Sequence, residues 1–161
     1  MTPLARSPRA LLLAAVVVPL AAVAAALVSQ HVYDMQPCPW CVLQRVVFVA
    51  IALAALPGLL VNRIGVRRAS AAGVLVLALC GVAAALWQHF VAASNVSCNL
   101  TLADRIVGGL GLDGLAPQVF AAFASCADAA VKIVGVPYEF FSLALFTLLG
   151  LGAMQVLRSR R

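Results

Sequence analysis

The chain has 161 residues, 65% of them apolar and only 10% charged, with a net charge of +6. A water-soluble domain carries about 45–50% apolar and about 25% charged residues, and a disordered chain has low hydrophobicity, so neither class fits. An integral membrane protein remains, and the apolar runs predict where it crosses.

The first run, Ala10–Val28, contains no charge. It follows Arg6 and Arg9, as the apolar stretch of a secretory signal would, but a cleavable signal has a shorter apolar region of about 7–15 residues. The run therefore reads as an uncleaved first helix near 10–29. The second helix is expected near 42–61, from Val46–Val61 extended back across Arg45 and Gln44 to Val42. The third is expected near 69–90, around Ala69–Trp87. The fourth is expected near 139–157, where only Ser142, Thr147 and Gln155 interrupt Phe140–Leu157. A span needs about 20 apolar residues. Its backbone groups must pair internally, which selects helices over open strands. The expected architecture is an all-α membrane protein, one domain built as a four-transmembrane-helix bundle with two outer loops, about 30–41 and 91–138.

Arginine and lysine orient the bundle. Arg6, Arg9, Arg63, Arg67, Arg68, Arg158, Arg160 and Arg161 fall on one side, and Arg45, Arg105 and Lys132 on the other. The positive-inside rule then places both termini and the 62–68 turn in the cytoplasm. The net charge reads as topology, not as a nucleic-acid footprint, because the arginines are split among three short segments. The second outer loop is too short and too glycine-rich to bury a core of its own. Its Gly109-Leu110-Gly111-Leu112-Asp113-Gly114 matches a dinucleotide fingerprint only formally, since no strand precedes it. It reads as a flexible connection.

Of five cysteines, Cys38 and Cys41 lie in or beside the first outer loop and Cys98 and Cys126 in the second. On the outer side of the membrane disulfides persist. Cys80, in the middle of the third helix, reads as a small packing residue. Cys38-Pro39-Trp40-Cys41 stands at a helix start, where the partial positive charge favours a thiolate and proline is tolerated in the first turn. Arg45 lies four residues beyond Cys41 on the same helix face, and Gln44 three residues beyond it. An arginine alone just inside a span snorkels to the interface. Beside a Cys-x-x-Cys it reads instead as a partner for the Cys41 thiolate or for an anionic ligand.

Cys98 and Cys126 enclose 27 residues. A bond between them is either a plain staple, worth about 3 kcal/mol or somewhat more, or an exchangeable one, and spacing alone does not choose. Structural zinc uses two close-spaced ligand pairs. Only one is present here, so no metal is expected. His89, at the outer end of the third helix, is either a hydrated surface residue or a hydrogen-bond donor sharing a pocket with Arg45.

These residues resemble the DsbB disulfide-bond formation proteins. The resemblance runs from Gln30-His31 through Pro37-Cys38-x-x-Cys41 with Arg45 four residues on, and through Trp87-Gln88-His89. It continues in the Cys98 and Cys126 pair, with Ala116-Pro117-Gln118-Val119-Phe120 ahead of the second cysteine, and ends at Val136-Pro137-Tyr138-Glu139-Phe140. Family members often carry residues other than Pro39-Trp40 between the first two cysteines. The resemblance implies a bacterial inner-membrane thiol oxidase that re-oxidises a periplasmic DsbA-type dithiol protein and passes the electrons to ubiquinone or menaquinone. It implies catalytic Cys38, Cys41, Cys98 and Cys126, paired as Cys38–Cys41 and Cys98–Cys126. It also implies that Arg45, with Gln44 and His89, meets the quinone. The alternative expectation is a four-helix membrane scaffold whose outer disulfides are purely structural.

Overall fold

The computed structural model describes residues 7–92, 101–133 and 135–159. Four of its helices are long and apolar enough to cross a membrane: α1 (Pro8–Val32), α2 (Pro39–Leu60), α3 (Ile64–Phe90) and α7 (Tyr138–Arg158). Between α3 and α7 lie the short helices α4 (Leu102–Gly109), α5 (Leu112–Leu115) and α6 (Pro117–Phe120). The two-residue strands β1 (Lys132–Ile133) and β2 (Val136–Pro137) follow them and pair antiparallel.

The long helices exceed the apolar runs at their ends. Ser7 caps α1 by accepting the Ala10 amide at 3.1 Å, and Pro8 opens its first turn, a position where the missing N–H costs nothing. Pro39 opens α2 in the same way. The third helix starts at Ile64, not near 69. Arg67 and Arg68 interrupt the apolar run, but arginine is a good helix former, so the helix passes through them. The Arg68 guanidinium donates to the Leu157 carbonyl at 3.2 Å, which puts the start of α3 beside the end of α7. One pole of the bundle is thus an arginine end and the opposite pole a cysteine end.

The helices form a ring in which α1 packs on α2, α2 on α3 and α3 on α7, while α7 and α1 close it with a much looser seam. In lipid the packing must come from close contact and not from expulsion of water, which favours small residues between helices. The tight faces follow that rule with Ala55 of α2, Ala71, Ala78 and Ala85 of α3, and Ala153 of α7. At their centre Phe146 lies fully buried, stacked on Phe48 with ring centroids 4.1 Å apart and planes 12° apart. The ring fits because position 81 has no side chain: a Cβ on Gly81 would come within 2.5 Å of Phe146. Gly81→Ala should therefore destabilise the bundle by about 1–3 kcal/mol through overpacking and lower its melting temperature in detergent by several degrees. Gly65→Ala, where a Cβ meets nothing within 4 Å, is the matched control and should leave melting unchanged or raise it slightly.

A second buried cluster forms at the cysteine end. It joins Cys38, Trp40, Val42 and Leu43 of the α2 start to Ala84, Ala92, Cys126, and Ala103 and Val107 of α4. A capping box starts α4, with Thr101 and Asp104 exchanging side-chain and backbone hydrogen bonds as such boxes do. Ala103 and Val107, one turn apart, then face the bundle. The second loop therefore has no separate core but shares the one at the α2 start. Its glycine run is more ordered than a flexible connection: Gly109 ends α4, Gly111 turns with φ 66°, and α5 follows at once.

Cys80 departs from its expected packing role. It is exposed on the bundle surface, because Ala78 and Gly81 occupy the inward face of that turn. Cys98 lies outside the described residues.

Candidate active site: thiols, an arginine and an apolar slot

Chain geometry first brings the cysteines together. Residues 33–38 turn from α1 to α2, and the Pro37 carbonyl accepts the amides of Phe123 and Ala124 at 3.0 and 3.3 Å. That clamp holds the second loop against the first and sets Cys126 beside Cys38. Cys38 is the N-cap of α2, where its sulfur accepts the Cys41 amide at 3.3 Å. The Trp40 amide donates to the Cys126 sulfur. Two orphan N–H groups of the first helical turn thus point at two different sulfurs.

Cys38, Cys41 and Cys126 are all free thiols. The Cys38 and Cys41 sulfurs are 2.6 Å apart, and Cys38 also hydrogen-bonds Cys126. Cys38 is fully buried, Cys126 nearly so and Cys41 partly so. Hydrogen bonds with Cys126 and Cys41, together with burial, push the Cys38 thiol well above its ordinary pKa. Cys126 is shifted down, chiefly through its hydrogen bond with Cys38, with burial opposing this and the Trp40 amide adding to it. A thiol in contact with two others, one of them favoured as thiolate, is arranged for exchange in either direction. The pairing of Cys98 with Cys126 involves a residue outside the described ones.

Cys41 turns the opposite way, into the bundle. Gln88 of α3 donates to its sulfur at 3.3 Å, and Gln44 donates to the Gln88 carbonyl oxygen at 2.6 Å. Gln44 and Gln88 are both buried. Gln44 was expected at the site. Gln88 was not, although a lone amide inside an apolar helix is itself a signal of function or pairing.

Arg45 lies one turn below Cys41 and does not snorkel, being only 6% exposed. Its Nη1 donates to Gln30 Oε1 at 2.7 Å and to the Val119 carbonyl at 2.9 Å, and its Nη2 donates to the Ala26 carbonyl at 3.4 Å. Gln30 donates in turn to the Gln118 carbonyl at 3.4 Å. Every one of these partners is a neutral oxygen. The guanidinium is therefore hydrogen-bonded but not neutralised, and a buried cation in that state favours an anion beside it.

Cys41, Gln44 and Arg45 line a cavity of about 310 Å³ at the loose α1–α7 seam. Its walls run from Ala22 to Ser29 on α1 and from Tyr138 to Leu145 on α7, with Phe48 and Gln88 behind. The lining is mostly apolar, with a thiol, an arginine and amides gathered at one end. That donor set suits a flat apolar molecule with carbonyl oxygens, because donors concentrated at one point of an apolar slot fix orientation. A quinone ring has that chemistry.

His89 is not among the residues that line the slot. Its Nδ1 lies 2.7 Å from Glu139 Oε1, and it is Glu139, only 7% exposed, that faces the cavity. In the sequence Glu139 stands only as part of Val136-Pro137-Tyr138-Glu139-Phe140, with no role of its own. A carboxylate at the opening of a helix gains from the helix dipole and gives no separate signal of function in sequence.

Comparison with known proteins agrees with the geometry over nearly the whole chain. A family model described as "Disulfide bond formation protein DsbB" matches residues 8–156. The chain is 33% identical over 141 residues to disulfide bond formation protein B of Aromatoleum aromaticum, covering 82% of this chain and 81% of the relative. It is 30% identical over 147 residues to the protein of that name from Herminiimonas arsenicoxydans, covering 91% and 92%. It is 32% identical over 158 residues to disulfide bond formation protein B 1 of Pseudomonas aeruginosa, covering 94% and 96%.

Proposed function

The chain belongs to the DsbB family of membrane disulfide bond formation proteins, and from that premise we propose that it re-oxidises a DsbA-type dithiol protein on the periplasmic side of the bacterial inner membrane and passes the electrons to a membrane quinone. The observation that carries this reading is the placement of Cys41. Its sulfur is within reach of Cys38 on one side and lines the apolar slot on the other. The thiol system and the slot therefore meet at one atom.

The roles follow from position. A partner thiolate attacks Cys98 and displaces Cys126 from it. Cys126, favoured as thiolate, engages its neighbour Cys38, and Cys41 is left as the thiolate facing the slot. Gln88 donates to that sulfur and Arg45 adds positive charge nearby. The partner's second thiol then displaces Cys98 and leaves oxidised, and Cys98 retakes Cys126 and so frees Cys38. Oxidation of the Cys38 and Cys41 pair back to a disulfide gives up the two electrons taken from the partner. When bound, the quinone supplies the acceptor of two electrons and two protons. Arg45, Gln44 and Gln88 would hold it, and the apolar walls of α1 and α7 keep water from the reacting sulfur. The arginine end then faces the cytoplasm with both termini.

The deciding experiment mixes the purified protein with a reduced DsbA-type protein and a quinone without oxygen and follows quinone absorbance. Stoichiometric loss of oxidised quinone is expected. No loss, with the thiols inert to the partner, would instead fit a scaffold with structural disulfides.

A further inference from the structure

We propose that Glu139 and His89 form the proton route into the slot, carrying protons from the outer solvent to the acceptor site beside Cys41. The proposal rests on the functional reading above and adds residues to it.

The need for such a route comes from the balance of the reaction. The partner's dithiol loses two electrons and two protons as it becomes a disulfide, and the quinone gains two of each as it becomes a quinol. The electrons travel through sulfur. The protons do not, because thiol–disulfide exchange proceeds through thiolates, and the partner's thiol protons leave into water on the outer side. The slot is mostly apolar and needs protons returned to it.

Among the described residues, one pair spans from the exposed face to the slot. Glu139 lines the cavity and is buried, while the His89 side chain it contacts at 2.7 Å is 32% exposed. Phe90 and Phe140 hold the imidazole edge-on at 4.9 and 4.8 Å, which keeps Nδ1 aimed at the carboxylate. An imidazole can take a proton at one ring nitrogen and release one from the other. In each transfer Glu139 gives a proton into the slot and takes one from His89 Nδ1, and His89 regains its own from outer water. No electron moves; each transfer leaves the imidazole as its Nε2–H tautomer, which returns to the Nδ1–H tautomer by proton exchange with outer water before the next one.

The other titratable groups that face the slot are Cys41 and Arg45 on α2 and Tyr138 on α7. The α1 wall and the lining residues at 35–37, 129 and 131 carry none. Arg45 does not release its proton in a protein, and Cys41 is the electron donor. Tyr138 is the one rival proton donor.

The test uses the full-length protein in lipid nanodiscs with Glu139→Gln, His89→Gly and Tyr138→Phe. In quinone-free reduced protein, at a pH low enough to protonate Cys41, transfer to heavy water converts the Cys41 S–H infrared band, identified by its loss in Cys41→Ser, to S–D. Glu139→Gln and His89→Gly should slow that conversion, and Tyr138→Phe should not. With quinone present, both variants should slow quinone reduction on the order of tenfold or more, within the range general acid catalysis provides. Partner exchange at Cys98 should stay at the wild-type rate. Added imidazole should restore His89→Gly, a rescue that a purely structural ion pair would not give. Wild-type S–D conversion and quinone reduction in Glu139→Gln, or loss confined to Tyr138→Phe, would overturn the route. If the wild-type chain exchanged with the partner but reduced no quinone, the functional reading would fail. The heavy-water measurement needs no quinone and would still decide the route.

Discussion

Cys41→Ser is expected to abolish quinone reduction while still trapping the dithiol partner on Cys98. A serine hydroxyl forms no disulfide and is a far poorer nucleophile than a thiolate at neutral pH. Removing a reacting nucleophile commonly costs on the order of a thousandfold or more. The early step draws on other atoms. Partner attack needs Cys98 and the departure of Cys126, whose thiolate is favoured by Cys38 and by the Trp40 amide. The substitution keeps nearly the same volume and leaves Gln88 and Arg45 in place, so the slot should persist. Quinone absorbance reads the lost half and non-reducing electrophoresis reads the adduct. Quinone still consumed with dithiol partner by Cys41→Ser would refute the assigned roles.

Arg45→Met is expected to have the next largest effect, and a different kind of effect. It removes the donors to Gln30, Val119 and Ala26 and leaves buried acceptors without partners. Beyond that loss of stability, it removes the charged donor proposed to hold the quinone oxygen, a bond worth about 1.5–3 kcal/mol, and each 1.4 kcal/mol is about tenfold. The KM for quinone should therefore rise on the order of a hundredfold, with a further loss in kcat where the positive charge acts on the Cys41 thiolate. Arg45→Lys should fall between the two chains. A single ammonium keeps the charge but not the planar fork that reaches α1 and residue 119 together. Initial rates at saturating partner and varied quinone separate KM from kcat. A KM within twofold of wild type in Arg45→Met would remove Arg45 from the quinone site.

Much of the fold was legible because the bilayer imposes so strong a constraint. A chain with so few charges leaves little choice about where it crosses, and four helices follow. The ends were less legible. Hydropathy breaks at Arg67 and Arg68, but no proline lies between Ile64 and Ala69 and Gly65 falls in the first turn, so the helix continues through them. Cys38, Cys41 and Arg45 stood out because thiols at a helix start and an arginine in a span are locally unusual. Gln30, Gln88 and Glu139 did not, since each is a single polar residue whose meaning lies in a partner far away in the chain: Arg45, Cys41 and His89. The feature that marks Arg45, a polar group at the edge of an apolar span, is shared by the two glutamines. The second loop's place over the α2 start was illegible for another reason. Its small buried residues, Ala103 and Val107, look ordinary until the surface they meet is known.

The contacts of Arg45 also bear on the order in which the protein is made. The first helix leaves the ribosome before any partner for its Gln30 side chain exists. That amide meets Arg45 from the second helix and the carbonyl of residue 118 from the loop after the third. Until about three quarters of the chain has been synthesised, the first helix can pack on the second, but Gln30 and Arg45 lack their partners at residues 118 and 119. The seam it forms with the last helix, which becomes the slot, is therefore the last part of the bundle to close.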